Sequence, residues 1–458
     1  MLKKIDSHNK KHPIIMENDN NEGLKREIGV VGLASNAINS IVGGGIFVLP
    51  ALVAGIMGST AIITYLICGV AVILITLCFA EIGSKVTVSG GAYAYVEAAF
   101  GTFAGFLTNT LFWFGFGVLS DAAIATAMAG MLAITFPIFK LPPFRALFFL
   151  VMYGGFAIVN IRGVKQGINM VKVNTLIKLV PLIILITYGW VGVSTKNLQW
   201  SQIPSFKNIG EASLILFFAF AGGEMALNNS GEILNPMRTV PIGLILGIGT
   251  VVVLYVLIQT ISLGVLGSEL AVNKQAPLAA VAEKLMGGFG SVLMISGAVI
   301  SIFGALSGSV LSYPRLLFAG SRNGFLPAFL AKVHPKFATP YWAICTYTLL
   351  VLIFSITGGF RQLVIVSSAS LLLIYMAVVL STIKLRLRKD PSPPRTFKIP
   401  GGITIPSITL ILIIWFLSRL TRNEVTGIAL MILVLTVIYL IMKLIKNKTV
   451  FYPKNKFP

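Results

Sequence analysis

The sequence is a succession of apolar segments, each long enough to cross a lipid bilayer. Examples are Ala61–Ala80, Leu176–Val193 and Leu244–Leu266, and a transmembrane helix needs roughly 20 mostly apolar residues. Only 11% of the 458 residues are charged, and the mean hydropathy is +0.89, whereas a soluble chain has about 25% charged residues. We therefore expect a polytopic, all-α integral membrane protein.

The segments predict about twelve transmembrane helices. With both termini in the cytoplasm, roughly 26 of the 36 Lys and Arg residues fall on the cytoplasmic side and about 9 outside, which is the positive-inside pattern. This distribution predicts a multi-pass protein of the cell inner (plasma) membrane. The predicted spans lie near 29–57, 61–83, 101–135, 144–161, 172–193, 212–233, 241–266, 288–317, 340–357, 362–385, 403–420 and 425–445.

The net charge of +21 is concentrated at the predicted cytoplasmic surface. The most basic stretches are the 384–398 loop and the C-terminal segment Lys443–Lys456. Basic residues in these positions are attracted to anionic lipid headgroups. We therefore expect membrane lipids as partners, and no nucleic acid.

Two predicted spans contain glycines that favour an interrupted helix. The first span contains Gly43, Gly44 and Gly45, and the sixth contains Gly222 and Gly223 next to a carboxylate, Glu224. Each glycine within a helix costs close to 1 kcal/mol relative to alanine. Unwound backbone at membrane depth is tolerated where it is buried in protein or lines a cavity. The alternative is that the glycines only allow close helix packing.

The breaks lie roughly 180 residues apart, the spacing of an inverted repeat of five spans. The predicted organisation is a tail (1–27), a first repeat (28–193), a second repeat (194–400), two more spans (401–447) and a cytoplasmic C-terminal tail (448–458). At such breaks, helix N-termini suit a carboxylate and freed carbonyls suit an ammonium. A zwitterionic α-amino acid has both groups.

Several motifs resemble those of the amino acid–polyamine–organocation transporters, from about residue 28 to residue 450. The resemblance implies a leucine-transporter-type fold, in which a 5+5 inverted repeat has broken helices 1 and 6, here with two extra C-terminal spans. The motifs that carry it are Ile41–Phe47, Phe79–Ser84, Ser89–Tyr95, Phe218–Glu224, Ser230–Pro241, Ser321–Pro327 and Val333–Phe337.

By this resemblance, backbone groups of the two breaks bind the substrate. The resemblance places the substrate carboxylate at the N–H groups of Gly43, Gly44 and Gly45. It places the amino group at the carbonyls of Ile41, Phe218 and Ala221. The ring of Phe218 matches an aromatic that closes over bound substrate in relatives; the alternative is simple packing beside the equally apolar Phe217 and Phe220.

Three ionisable residues lie well inside predicted spans, where charge facing lipid is costly. Lys178 resembles the fifth-span lysine of sodium-independent relatives, whose ammonium takes the place of a sodium ion; it could instead carry a proton or pin two helices. Glu224 could carry the coupling proton or hold the broken helix together.

Asp121 aligns approximately with a pocket-facing position, which would suit a cationic side chain or proton coupling. Ser309 matches a position where some arginine-exchanging relatives have a bulky aromatic.

Six charged residues at cytoplasmic span ends are expected to be ordinary helix-end charges, since surface ion pairs are individually weak. The alternative is a network that closes an inner vestibule. These residues are Glu81, Glu97, Glu232, Arg238, Arg315 and Arg322.

We expect secondary active amino acid transport by alternating access, independent of sodium and coupled to proton symport or to exchange. The alternatives are a polyamine or amine exchanger and, less favoured, a transporter-like amino acid sensor. An enzyme is not expected, because the chain has three histidines and neither HExxH nor GxSxG. Cys68, Cys78 and Cys345 have no CxxC spacing, so neither a metal site nor a cofactor is expected.

Overall fold

The computed structural model describes residues 28–85, 91–162, 168–200, 203–227, 233–388 and 397–449, and its named elements are all helical. The α-helices are α1 (Val30–Ile41), α2 (Gly45–Met57), α3 (Ala61–Lys85), α4 (Ala92–Phe100), α5 (Thr102–Thr110), α6 (Leu119–Thr135), α7 (Pro142–Arg162), α8 (Ile168–Gly189), α9 (Phe206–Leu216), α10 (Pro236–Leu266), α11 (Pro277–Arg322), α12 (Tyr341–Thr357), α13 (Phe360–Leu387), α14 (Thr404–Leu417) and α15 (Arg422–Thr449).

In the described part of the chain, eight helical stretches are long and apolar enough to cross a membrane. Four shorter apolar stretches accompany them: Val30–Ile41, Lys178–Gly192, Tyr341–Thr357 and Thr404–Leu417. The all-helical, multi-pass architecture predicted from the sequence is therefore confirmed.

Several helix bounds differ from the predicted spans because helices continue past their apolar segments. The span expected near 288–317 belongs to α11, which begins at Pro277 and runs through a non-helical residue, Gly287 (φ 66°). The span expected near 101–135 consists of α5, a π-helical segment at Leu111–Val118, and α6. The short helix α4 lies outside the predicted spans.

Burial separates central helices from peripheral ones. In its most apolar 18-residue window, the broken stretch Phe206–Leu227 is 89% buried by protein, whereas Arg422–Leu444 of α15 is only 17% buried. A helix that is apolar all round and covered by protein belongs to the centre of the bundle. The second predicted break therefore lies at the centre, and α15 lies at the edge.

Backbone hydrogen bonding joins the start of α1 to the chain just before α10. Ile28 forms an isolated bridge with Ile233, and the N–H of Leu234 donates to the Ile28 carbonyl at 2.9 Å. This contact holds the chain entering the first broken segment beside the chain leaving the second.

Candidate functional site

Both glycine-rich segments interrupt their helices, as the sequence predicts. Helix α1 ends at Ile41 and α2 begins at Gly45, with Val42 in an extended conformation (ψ 92°). Helix α9 ends at Leu216 and continues as a 3-10 turn to Phe220. Ala221 is extended and Gly222 has φ 110°, a backbone conformation that residues with a Cβ rarely adopt.

The two breaks touch each other. A Cβ atom added to Gly45 would lie 3.1 Å from the Cα of Ala219, and one added to Gly222 would lie 2.7 Å from the Ser40 carbonyl oxygen. Close approach of the two backbones therefore requires glycine on both sides. The backbone groups freed by the two interruptions lie in one place.

The last carbonyls of α1 are satisfied by groups from several helices. The Ile38 carbonyl accepts from the N–H of Val42 at 2.9 Å. The Asn39 carbonyl accepts from the Lys178 ammonium at 2.5 Å, and the Ile41 carbonyl accepts from the Tyr255 hydroxyl at 3.2 Å. A helix that ends inside protein needs such partners for its final C=O groups.

Tyr255 of α10 links the two breaks and was missed by the sequence analysis. Its hydroxyl lies 3.2 Å from the Ile41 carbonyl and 3.1 Å from the Ala219 carbonyl. A tyrosine hydroxyl has a single hydrogen to donate, so the two carbonyls share it. The sequence signal that could have identified it is a single hydroxyl-bearing residue inside the apolar run Val251–Ile258.

The N-terminus of α2 faces the first break without a side-chain cap. Gly44 is its N-cap and provides no side-chain acceptor. The N–H of Phe47 donates to the Gly44 carbonyl at 3.2 Å, and the N–H groups before it can receive an anion. Two apolar side chains flank this point: a Cβ on Gly44 would lie 2.9 Å from Ile302 and 3.1 Å from Ile124.

The three phenylalanines of the second break face different neighbours. Phe218 lies against the first break, because a Cβ on Gly45 would be 3.3 Å from its Cδ1 atom. Phe217 packs edge-on against Tyr375 (centroids 5.8 Å apart), and Phe220 packs against Tyr255 (5.1 Å). Of these three rings, Phe218 is therefore the one placed beside Gly45 of the first break.

Lys178 is buried, with 4% of its surface exposed, and its ammonium meets the C-terminal end of α1 through Asn39. Carbonyls at a helix C-terminus carry partial negative charge, which stabilises a cation. The side chain thus ties α8 to the first break.

Glu224 holds the second break to α13. Its Oε2 atom accepts from the Gly222 N–H at 3.1 Å and from the Tyr375 hydroxyl. Its buried Oε1 atom has no hydrogen-bond partner among the described residues. Beside it lies a small, mostly apolar cavity lined by residues of α3, α10 and α13 together with Phe220 and Gly223.

Asp121 belongs to a buried cluster of hydroxyl groups. Its Oδ2 atom accepts from the Tyr347 hydroxyl at 2.8 Å, and the Ser309 side chain lies near the carboxylate. Its backbone carbonyl accepts from Tyr153 at 3.3 Å. Tyr347, Ser309 and Tyr153 lie on α12, α11 and α7. The structure therefore brings Asp121 and Ser309 together, and their contacts are separate from the hydrogen bonds of the two breaks.

The structure corrects the expectation that Glu81 is an ordinary helix-end charge. The residue is 0% exposed, because α13 and the segment after 396 cover it. Its carboxylate pairs with Lys85 at 2.9 Å and with Arg386 at 2.8 Å, and it accepts from the Ile399 N–H at 3.0 Å.

The other charged residues expected at helix ends fall into three groups. Arg238, Arg315 and Arg322 are exposed, and Glu97 is half-buried. Glu232 lies outside the described residues. In the described ranges, no three His, Cys, Asp or Glu side chains lie together in a way that could hold a metal ion.

Comparison with known proteins identifies the family that the chain resembles. A family model described as amino acid permease matches residues 28–442. The serine/threonine exchanger SteT of Bacillus subtilis is 30% identical over 369 residues, which cover 78% of this chain and 82% of that protein. The branched-chain amino acid permease BcaP of the same organism is 26% identical over 447 residues, which cover 93% of this chain and 95% of that protein. The human large neutral amino acids transporter small subunit 2 is 30% identical over 85% of this chain and 74% of that protein.

Proposed function

Because the chain belongs to the amino acid permease family, we propose that it carries neutral amino acids across the plasma membrane by alternating access. The relatives are named as transporters or permeases rather than enzymes, and the chain is accordingly a membrane transporter. The observation that carries the proposal is the contact between two broken helices, whose freed backbone groups meet beside Tyr255.

The proposed substrate is bound by its α-amino and α-carboxylate groups. The carboxylate is assigned to the N–H groups of Gly43, Gly44 and Gly45 at the start of α2, where the helix N-terminus favours negative charge. The ammonium is assigned to the carbonyls of Ile41, Phe218 and Ala221. In the structure the Ile41 carbonyl is already paired with Tyr255, so an ammonium would share or replace that hydroxyl.

A neutral side chain fits the surroundings of the first break better than a cationic one. Ile124 and Ile302 flank Gly44, and a charged side chain next to them would lose its hydration without gaining a partner. The carboxylate of Asp121 is already held by the Tyr347 hydroxyl. The three relatives above are named for serine and threonine, for branched-chain amino acids and for large neutral amino acids.

We assign the energy coupling of transport to Lys178 and Glu224, and sodium has no role in it. The Lys178 ammonium supplies a fixed positive charge at the end of α1, where a sodium ion would otherwise compensate the helix carbonyls. Glu224 joins the second break to Tyr375, so a change in its protonation would change how that break is held. Either proton symport or substrate exchange is compatible with this arrangement.

We assign the helices to a leucine-transporter-type fold of twelve spans. In this assignment 28–193 and 194–400 form inverted repeats with broken helices 1 and 6, and 401–447 adds two spans. The tails 1–27 and 448–458 lie in the cytoplasm, and the basic 384–398 loop lies against anionic lipid headgroups. Phe218, next to Gly45, is the ring proposed to close over substrate.

The test is uptake into proteoliposomes of the purified protein in sodium-free buffer. The panel contains radiolabelled neutral, cationic and acidic amino acids and a polyamine, with and without an imposed pH gradient or internal substrate. We expect saturable uptake of neutral amino acids, and the gradient separates symport from exchange. Uptake of the polyamine alone would support the amine exchanger, and a strict sodium requirement would contradict the role of Lys178.

Lys178→Ala is the matched variant for the coupling assignment. Removing the ammonium leaves the Asn39 carbonyl and the end of α1 without their cation, so we expect loss of uptake in a protein that still elutes as a folded species. Lys196→Ala is the control, because Lys196 is exposed. Unchanged uptake by Lys178→Ala would remove this lysine from the transport cycle.

A further inference from the structure

Asp121 is a buried carboxyl group that the proposed transport site does not use. It lies in the interior of the helical stretch Thr102–Thr135, which is long and apolar enough to cross a membrane. Only 3% of its surface is exposed. An ionisable side chain in such a place is a candidate functional group, because charge is costly there.

The side chains that surround Asp121 are polar, but none of them is a cation. The Tyr347 hydroxyl of α12 donates to Oδ2 at 2.8 Å, and the Tyr153 hydroxyl of α7 donates to the backbone carbonyl at 3.3 Å. On α11, Ser309 lies near the carboxyl group, and the Tyr313 ring stacks on that of Tyr347 with centroids 5.6 Å apart. Three tyrosines and a serine therefore surround this group.

Among the residues that the structure describes, no cation pairs with Asp121. The ion pairs involve Glu81, Glu211 and Glu269 instead, and Tyr375 of α13 is bonded to Glu224. Helices α6 and α12 and the π-helical segment contain no lysine, arginine or histidine. The cationic residues of the other neighbouring segments lie beyond a helix end or in the first or last two turns of a helix. These are Lys140 after α6, Arg145 and Arg162 of α7, Lys284, Arg315 and Arg322 of α11, and Arg361, Lys384 and Arg386 of α13.

These surroundings favour the neutral acid over the carboxylate. A buried carboxylate without a positive partner loses its hydration and gains only hydrogen bonds from neutral groups, and a bound proton removes that charge. Because Oδ2 accepts from the Tyr347 hydroxyl, Oδ2 is assigned as the carbonyl oxygen of the acid and Oδ1 as the oxygen that carries the proton.

The helices that surround Asp121 also contact the first break. Ile124, one turn after Asp121 on α6, lies against Gly44, and Ile302 of α11 lies against the same glycine. Ser309 follows Ile302 by two turns, so the two residues share one face of α11. Helices α6 and α11 therefore line both the first break and the surroundings of Asp121.

We propose that Asp121 is a proton-binding residue of transport, which binds its proton together with the substrate. The inference rests on the proposed function, adds Asp121 to the residues assigned there to coupling, and favours symport over exchange. The substrate carboxylate is assigned to the start of α2, close to Ile124, and a negative charge on Asp121 would repel it. A neutral Asp121 removes that repulsion, so substrate and proton each favour binding of the other.

Infrared spectroscopy of the full-length protein in lipid vesicles tests the proposal, because a protonated carboxyl group has a carbonyl band separate from those of carboxylates and amides. At a pH where exposed carboxylates are ionised, the substrate-free protein should have a band that Asp121→Asn lacks and Glu224→Gln retains. Tyr347→Phe should move this band to higher frequency, because the hydrogen bond to Oδ2 is lost. If the parent protein and Asp121→Asn give the same spectrum, the proposal is wrong.

The same band measures the link between proton and substrate. It should disappear as the pH rises, and saturating L-serine or L-leucine, whichever is taken up, should move the midpoint of this loss to higher pH. An unchanged midpoint, or a shift to lower pH, would overturn the proposal even if amino acid uptake is normal. Absence of all amino acid uptake would contradict the proposed function instead, and the substrate-free spectra would still decide whether Asp121 binds a proton.

Uptake into proteoliposomes gives an independent readout. Asp121→Asn should lose amino acid accumulation driven by an inward proton gradient, because an amide cannot take up and release the proton. Glu269→Gln is the matched control: it also replaces a carboxyl by an amide, but at a side chain that is 70% exposed, and it should accumulate substrate like the parent protein. Equal gradient-driven accumulation by Asp121→Asn and the parent would overturn the proposal.

Discussion

The end of helix α1 illustrates how single residues determine what this site can do. Its last carbonyls meet a backbone N–H, the Lys178 ammonium and the Tyr255 hydroxyl. Each partner satisfies a group that a broken helix leaves free. The partners come from distant parts of the chain, so the break is stable only in the assembled bundle.

Tyr255→Phe removes the hydroxyl shared by Ile41 and Ala219 and leaves both buried carbonyls without it. Leaving a buried acceptor unpaired costs about 1–3 kcal/mol, and about 1.4 kcal/mol corresponds to a factor of ten. We therefore expect the initial rate of amino acid uptake in proteoliposomes to fall about tenfold.

The control for this variant is Tyr439→Phe. Tyr439 is also buried, and its hydroxyl lies 3.2 Å from that of Thr102 at the edge of the bundle. Its uptake rate should stay near that of the parent protein. An equal fall in both variants would attribute the effect to general loss of packing.

Gly222→Ala tests the second break. The backbone of Gly222 has φ 110°, and an added Cβ would lie 2.7 Å from the Ser40 carbonyl oxygen. Strained backbone of this kind costs about 1–3 kcal/mol, and the clash would push the two breaks apart. We expect a lower thermal unfolding midpoint and loss of uptake.

Gly249→Ala is the matched glycine control, because nothing lies within 4 Å of a Cβ added there. Alanine is a better helix former than glycine, so this variant should be as stable as the parent protein or more stable. Normal uptake by Gly222→Ala would mean that the two breaks separate without consequence during transport.

At the scale of elements, the ends of α3 and α13 are joined by a buried charge network. Glu81 lies between Lys85 of its own helix and Arg386 of α13, and it also accepts from the Ile399 N–H. The network therefore connects two helices with the chain that follows the 389–396 segment. A buried carboxylate with two cationic partners and a backbone donor is well satisfied.

Glu81→Gln leaves Lys85 and Arg386 without their counter-charge. Breaking a buried ion pair by removing one partner costs about 3–5 kcal/mol, so the unfolding midpoint in detergent should fall clearly. Glu211→Gln is the control: its pair with Arg361 is close (2.6 Å), but the Arg361 side chain is 58% exposed. Exposed pairs contribute about 0–1 kcal/mol, so similar midpoints for the two variants would contradict the importance of burial.

At the scale of the whole molecule, the basic residues predict how the chain lies in the membrane. The positive-inside rule assigns both termini to the cytoplasm. A green fluorescent protein fused after Pro458 should therefore fluoresce, and alkaline phosphatase at the same position should be inactive. Active phosphatase would indicate an external C-terminus, contrary to the proposed orientation.

The membrane class, the all-helical architecture, the family and the two interruptions could all be predicted from the amino-acid sequence. These properties depend on composition and on short motifs, such as an apolar segment or a glycine triplet, that act through neighbouring residues. The presence of most helices was therefore predictable. The helix ends and the π-helical segment before α6 were not, because they depend on packing against other helices.

The side chains that meet at the breaks could be identified only in the folded structure. Tyr255 contacts Ile41 across 214 positions of sequence, and Arg386 contacts Glu81 across 305. The folded structure also places Phe218 beside Gly45 and buries Glu81. A lone tyrosine and a glutamate near a helix end have no local signature of these contacts, because the contacts are made by helices that meet only when the bundle is assembled.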